Sequence, residues 1–135
     1  MYEYYLKKSE YKKASEIGNI YVSKTLELFR FYDSLSEVKY GRKVNQIYLC
    51  HDNSLNANYL LEIIKGLKKQ NYNFISLDKT LEDKVYQQEY KYHRKWGVSW
   101  LYRYMPTQKE RVKWMKKEPN MTYIEDLYTN LTKQK

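Results

Sequence analysis

The residues with the clearest chemical potential are His51, Asp52 and Asn53, which directly follow a short apolar run at residues 47–50. An imidazole titrates near neutral pH and can donate a proton to a leaving group. The run itself, Ile-Tyr-Leu-Cys, favours a β-strand that ends at the histidine. Because ligands gather at the carboxyl ends of strands in α/β sheets, we expect His51 beside a site. The alternatives are a hydrogen-bonded structural histidine, with Asp52 and Asn53 as helix caps.

A helix and a second strand are predicted after this loop. Apolar side chains recur every three or four residues from 58 to 70, which indicates an amphipathic helix. Residues 74–77, Phe-Ile-Ser-Leu, form the next strand-like run. Two strands joined by one helix and short loops should be parallel, with a right-handed connection. The sequence therefore predicts an α/β fold with a parallel β-α-β unit.

A long helix precedes this unit. Its apolar stripe predicts helix over residues 11–37. Gly18 weakens that helix by about 1 kcal/mol relative to alanine, which leaves open a separate first piece. Gly41 suits the left-handed turn that commonly ends a helix.

An aromatic-rich loop and helices follow the predicted unit. Asp78 is expected to cap a short helix, and helix returns at residues 105–117 and 122–132. Between them, residues 84–103 lose periodicity and crowd aromatic side chains around a glycine. Such aromatic residues usually pack a loop onto its domain, but a sugar ring could also stack on Trp96 or Trp100.

Composition and charge limit the class of protein. The chain has 135 residues, of which 42% are hydrophobic and 17% aromatic, enough for one folded domain. The net charge of +9 would allow an anionic partner. The basic residues occur as scattered pairs, however, without a run of five or more, so solvated faces are the favoured interpretation and no nucleic-acid partner is predicted.

Cysteine content and hydropathy exclude further classes. Cys50 is the only cysteine, which excludes an intrachain disulfide and metal sites of the paired-cysteine type. Its apolar neighbours predict a buried side chain. No segment approaches the roughly 20 apolar residues that a membrane helix needs, so no membrane span is expected.

Four strings resemble, in order, the carboxyl-terminal portion of polysaccharide deacetylases, the chitooligosaccharide-deacetylase homology family of carbohydrate esterases. They are YVSKTLELFRFYDSLSEVKYGR, QIYLCHDNSLNA, YNFISLDKTLEDKVY and KWGVSWLYR. The resemblance covers most of residues 15–104 of a predicted single domain spanning 1–135, with 105–135 as a helical tail. It implies a partial (β/α) barrel and metal-dependent removal of acetyl groups from N- or O-acetylated sugars.

The resemblance also implies roles for individual residues. His51 corresponds to the catalytic general acid, and Leu49 to the apolar residue that lines the pocket for the acetyl methyl group. Independently of the resemblance, Trp96 and Trp100 are candidates for substrate contacts, because a sugar ring could stack on them. Complete family members are often exported, so the localisation of this chain is not predicted.

The family's metal-binding motifs are missing from this chain. There is no Asp-Asp pair, and His93 is the only other histidine, without ligand spacing around it. A divalent metal of the zinc type, implied for the complete family domain, needs about three protein ligands. The chain is therefore predicted to be inactive alone, as a fragment that pairs with a complementary amino-terminal fragment or with itself. The alternatives are a noncatalytic protein that binds glycan or protein through the aromatic loop, and a small basic nucleic-acid-binding protein.

Overall fold

The computed structural model describes residues 1–133, and this part of the chain consists of helices and loops without a β-strand. The helices are α1 (Tyr2–Lys7), α2 (Tyr11–Tyr40), α3 (Ser54–Lys69), α4 (Leu77–Leu81), a 3-10 helix (Lys84–Gln87), α5 (Trp100–Arg103), α6 (Gln108–Met115) and α7 (Thr122–Lys133). The predicted α/β fold, with its parallel β-α-β unit and partial (β/α) barrel, is therefore wrong.

The first predicted strand, residues 47–50, is a loop held by side chains. The hydroxyl of Tyr48 hydrogen-bonds that of Tyr21 on α2. The side-chain amide of Asn56 donates to the backbone carbonyl of His51 over 2.6 Å. A strand needs a neighbouring backbone edge, and the described residues supply none. The apolar run therefore lies in a helical protein without a sheet ladder.

The second predicted strand, residues 74–77, leads into a helix. Ser76 is the N-cap of α4, and its hydroxyl accepts a hydrogen bond from the backbone N–H of Lys79 at 3.2 Å. Leu77 is already helical, and Asp78 lies in the first turn instead of capping it. Phe74 and Ile75 remain exposed. The serine cap thus starts a helix at the last residue of the predicted strand.

The helix predictions are confirmed with small shifts in their ends. Helix α2 begins at the predicted residue, is continuous through Gly18, and ends before Gly41, whose φ of 69° is the expected left-handed turn. Helix α3 starts four residues earlier than predicted, because the side chain of Asn53 caps it by accepting from the N–H of Asn56. The Asn53 cap, which the sequence offered only as an alternative, therefore sets the start of α3.

The chain divides into two compact units. Unit 1 contains Met1–Leu28, Tyr48–Asn73 and the described residues from Pro119 onward. Its buried core is Tyr2, Tyr5, Ala14 and Ile17, against which residues of α3 and α7 pack. Two glycines permit close packing there: a Cβ on Gly18 would lie 1.9 Å from the Tyr59 ring, and one on Gly66 would lie 2.6 Å from Leu26.

Unit 2 contains Phe29–Ile47 and Phe74–Glu118. Its buried core combines aliphatic and aromatic side chains from α2 and the loop after it, from the 3-10 helix, and from α5 and the two residues that follow it. These residues are Leu35, Val44, Val85, Leu101, Tyr102, Tyr104 and Met105. Helix α5 has only four residues, so packing rather than propensity must hold it in place.

Candidate functional site

Two hydrogen bonds hold the ends of an exposed loop in unit 2. The backbone N–H of Lys91 donates to the carbonyl of Arg103 at 2.8 Å. The guanidinium Nε of Arg103 donates to the carbonyl of Val98 at 3.3 Å. Arg103 on α5 therefore holds both ends of the intervening chain. The exposed part, residues 93–97, reads His-Arg-Lys-Trp-Gly and is called the basic loop.

Aromatic residues on either side of the basic loop in the sequence pack against one another. Tyr90 and Tyr104 stack with ring centroids 5.5 Å apart, and Trp100 lies 6.1 Å from Tyr90. The guanidinium of Arg103 lies 5.2 Å from the centre of the Trp100 ring. Burial raises the pKa of Tyr104 to about 12, so its hydroxyl stays neutral at physiological pH. Among these four residues, only Arg103 is charged.

Arg111 joins the start of the basic loop to α6. Its side chain is 7% exposed, and its guanidinium lies 5.1 Å from the centre of the Tyr92 ring. It also donates to the backbone carbonyl of Met105. A buried cation needs partners for its charge and its N–H groups. An aromatic face and a carbonyl fill that role here, and the described residues give Arg111 no carboxylate partner.

Lysines line the exposed side of α6 and the turn after it. Lys109 and Lys113 are four residues apart, and Lys116 and Lys117 continue the same side one turn later. All four side chains are exposed and form no ion pair within the described part of the chain. We call Lys109, Lys113, Lys116 and Lys117 the lysine row.

The acidic residues of unit 2 are largely occupied elsewhere. Six of its eight carboxylates have a cation or hydroxyl partner of their own: Asp33, Glu82, Asp83, Glu89, Glu110 and Glu118. Glu110, the acidic residue within α6, pairs with Lys39 at 2.6 Å. None of these partners belongs to the lysine row or the basic loop, so the positive charge of both remains uncompensated in residues 1–133.

Glu118 illustrates how one such carboxylate is occupied. The hydroxyls of Tyr32 and Tyr102 donate to its Oε1 at 3.0 and 2.6 Å. Burial raises the pKa of Tyr32 to about 12, and it also raises the pKa of Tyr102. Both tyrosines therefore remain donors at neutral pH, and the carboxylate fixes the residues after α6 to unit 2's core.

His51, the predicted general acid, and Leu49, the predicted pocket residue, lie on an exposed loop of unit 1. Leu49 is 81% exposed, and the side chains of Cys50 and His51 are exposed as well. The expectation of a buried Cys50 is wrong, because no sheet covers the run that contains it. Unit 1 has an open groove of about 770 Å³, lined by Tyr2, Asn19, Val22, Ser23, Leu26, Asn58, Tyr59 and Glu62. Neither Leu49 nor His51 lines this groove.

The two predicted substrate-contacting tryptophans lie in unit 2 and differ in exposure. Trp96 belongs to the basic loop and is 80% exposed. Trp100 is half-buried in α5, where Arg103, Tyr86 and Tyr90 surround its ring. His93 is exposed. Sequence reasoning missed the roles of Arg103 and Arg111.

A usable signal for this region was present in the sequence. Residues 91–117 contain nine lysines and arginines, all three tryptophans of the chain and one acidic residue, Glu110. Counting like charges over a window of this length, instead of over adjacent residues, would have found it.

The described residues do not fit the zinc-type metal that the resemblance implies for a complete family domain. Such a centre needs about three protein ligands. Residues 1–133 contain no group of three or more His, Cys, Asp or Glu side chains placed to hold a metal ion. No helix among them is both long and apolar enough to cross a lipid bilayer.

No protein-family model, no curated protein and no solved structure matches the chain.

Proposed function

We propose that this chain is a noncatalytic binding protein that holds a polyanion on the basic loop and lysine row of unit 2. The observation that carries the proposal is the exposed, uncompensated charge of these two segments. Arg94 and Lys95 in the loop, like the lysine row, have no carboxylate partner in the described structure. Six of the unit's eight carboxylates already have partners of their own. An external anion is the natural counterpart of such a surface.

The distribution of charge between the units supports the same conclusion. Unit 2 has a formal charge of +7 and unit 1 a formal charge of +2. A polyanion that contacts several of these cations releases its condensed counterions, and that release favours binding. The contribution depends on the number of cations contacted, so several weak contacts together give useful affinity.

Sugar deacetylation, predicted from the family resemblance, has less support and remains a prediction. That prediction placed His51 at the end of a barrel strand, where neighbouring loops would supply the rest of the site. The described chain has no such strand. The deacetylase test is acetate release by this chain mixed with a metal-binding amino-terminal half, and loss of that activity in His51→Ala.

The polyanion proposal is tested by fluorescence anisotropy with labelled heparin and labelled oligo(dT) at increasing salt. Affinity for both should fall steeply between about 50 and 200 mM salt, because each phosphate or sulfate contact releases counterions. The test variant carries Lys109→Gln, Lys113→Gln and Lys116→Gln. Each lost contact to a single strand should reduce the salt slope by about 0.7, so the triple variant should lose about 2.

The matched control removes the same charge from unit 1, through Lys7→Gln, Lys12→Gln and Lys68→Gln. All three control lysines are exposed. The control should keep most of the affinity and the salt slope of the original chain. Equal weakening by both triple variants would show that net charge, not this surface, governs binding. Absence of binding at low salt would reject the proposal.

A further inference from the structure

We infer that the polyanion is a single-stranded nucleic acid and that one of its bases stacks on Trp96. This inference rests on the proposed function and identifies the ligand of the same surface. Phosphates would contact the lysine row and the loop cations, while a base would use the indole face. Proteins that bind single strands commonly combine such cations with exposed aromatic rings.

Trp96 is the tryptophan of the chain with its ring available. It is 80% exposed. Trp100 is covered by Arg103 at 5.2 Å and lies beside Tyr90. Trp114 is flanked by Phe31, with ring centroids 6.4 Å apart, and by the ammonium of Lys117 at 4.6 Å. A flat ligand can therefore reach Trp96 without displacing a neighbour.

The loop geometry favours such a contact. Lys91 and Val98 are both tied to Arg103, so the two ends of the loop are fixed. The carbonyl of Trp96 itself accepts a hydrogen bond from the N–H of Val98 at 3.0 Å. A binding residue that is already positioned loses less conformational entropy when the ligand arrives.

Other anionic or stacking ligands fit these observations less well. Bases in a duplex are paired and stacked within the helix, so their faces cannot cover an indole. A membrane-binding segment needs an apolar face. The basic loop has only one apolar side chain, and the exposed residues of α6 are Gln108, Lys109 and Lys113. A neutral glycan could stack on Trp96 but would leave the cations without a role.

The test compares oligo(dT) with an abasic deoxyribose-phosphate oligomer of the same length and charge, using fluorescence anisotropy. Stacking of one base should make oligo(dT) bind about 5- to 150-fold more tightly than the abasic oligomer. Trp96→Ala should remove this difference while leaving abasic binding unchanged. Tyr11→Ala is the matched control, because Tyr11 is a 66% exposed aromatic residue in unit 1. It should preserve the preference for oligo(dT).

Several outcomes separate the two proposals. Equal, salt-dependent binding of oligo(dT) and the abasic oligomer would overturn base stacking and leave polyanion binding intact. No binding of oligo(dT), the abasic oligomer or heparin would overturn polyanion binding itself. The remaining comparison measures binding to phosphatidylcholine vesicles that contain phosphatidylserine. A Trp96-dependent preference for these vesicles over oligo(dT) would identify a membrane surface and reject the nucleic-acid inference.

Thermal unfolding of Trp96→Ala should match that of the original chain, since the side chain is exposed.

Discussion

The two units of this protein use their polar side chains in different ways. In unit 1, Asn56 satisfies neighbouring polar groups internally. It is 8% exposed, accepts from the Tyr21 hydroxyl at 2.5 Å and donates to the His51 carbonyl at 2.6 Å. In unit 2, the guanidinium groups of Arg103 and Arg111 lie over aromatic rings. All five arginines of the chain belong to unit 2.

This difference shows how unit 2 can carry a formal charge of +7. A planar guanidinium stacks on an aromatic face and still donates hydrogen bonds, which a lysine cannot do in the same way. Arg103 and Arg111 therefore have partners that are not carboxylates. The lysine row is not neutralised by the packing, and its charge remains available to a ligand. Unit 1, with a formal charge of +2, offers no comparable surplus.

The largest expected effect tests the role of Arg111. Arg111→Ala should lower the free energy of unfolding by about 2–4 kcal/mol, because it removes a desolvated cation–π contact and leaves the Met105 carbonyl without its donor. Arg94→Ala, in the exposed loop, should change stability by less than about 0.5 kcal/mol. Urea denaturation measures both. Equal stability of the two variants would contradict the role assigned to stacked arginine in unit 2.

A smaller effect is expected from glycine contacts in unit 1. Gly18→Ala places a methyl group 1.9 Å from the Tyr59 ring, so the ring must move. The cost of overpacking, about 1–3 kcal/mol, should exceed the gain in helix propensity of about 1 kcal/mol. Gly97→Ala is the control in unit 2, since a Cβ there meets nothing within 4 Å. Thermal unfolding should show a lower Tm for Gly18→Ala only; a raised Tm would mean that Tyr59 moves freely.

The smallest effect concerns Tyr32 and alkaline pH. Tyr32→Phe should cost about 0.5–1.5 kcal/mol at neutral pH, since Tyr102 still donates to Glu118. The folded-state pKa of Tyr32 is raised from 10.0 to about 12 by burial. Its contribution to stability is therefore complete below about pH 10 and is lost as the pH rises through about 12.

Removing this hydroxyl should make the decline in stability between about pH 10 and 12 shallower. Guanidinium denaturation at a series of pH values measures the change. Tyr128→Phe is the matched control, because Tyr128 is a 58% exposed tyrosine of unit 1. It should alter neither the stability nor its pH dependence. An unchanged alkaline decline in Tyr32→Phe would show that other groups account for it.

The candidate surface was only partly readable from the sequence. Trp96 was singled out for its place in an aromatic stretch, and the structure places it on an exposed loop. The lysine row was overlooked, because Lys109 and Lys113 are adjacent on a helix but not in the sequence. The role of Arg111 could not be predicted from the sequence. Its ring contact is with Tyr92, which lies before α5, whereas Arg111 lies in α6.

The sequence alone determined the longer helices α2, α3, α6 and α7 and several of their ends. Periodic apolar residues and local caps such as Asn53 and Thr107 act within a few residues, so neighbouring side chains are sufficient to specify them. The tertiary structure alone decided that residues 47–50 form a loop and not a strand. A short apolar run becomes a strand only if another strand supplies a hydrogen-bonding edge, and here Tyr21 and Asn56 on the helices hold the loop instead.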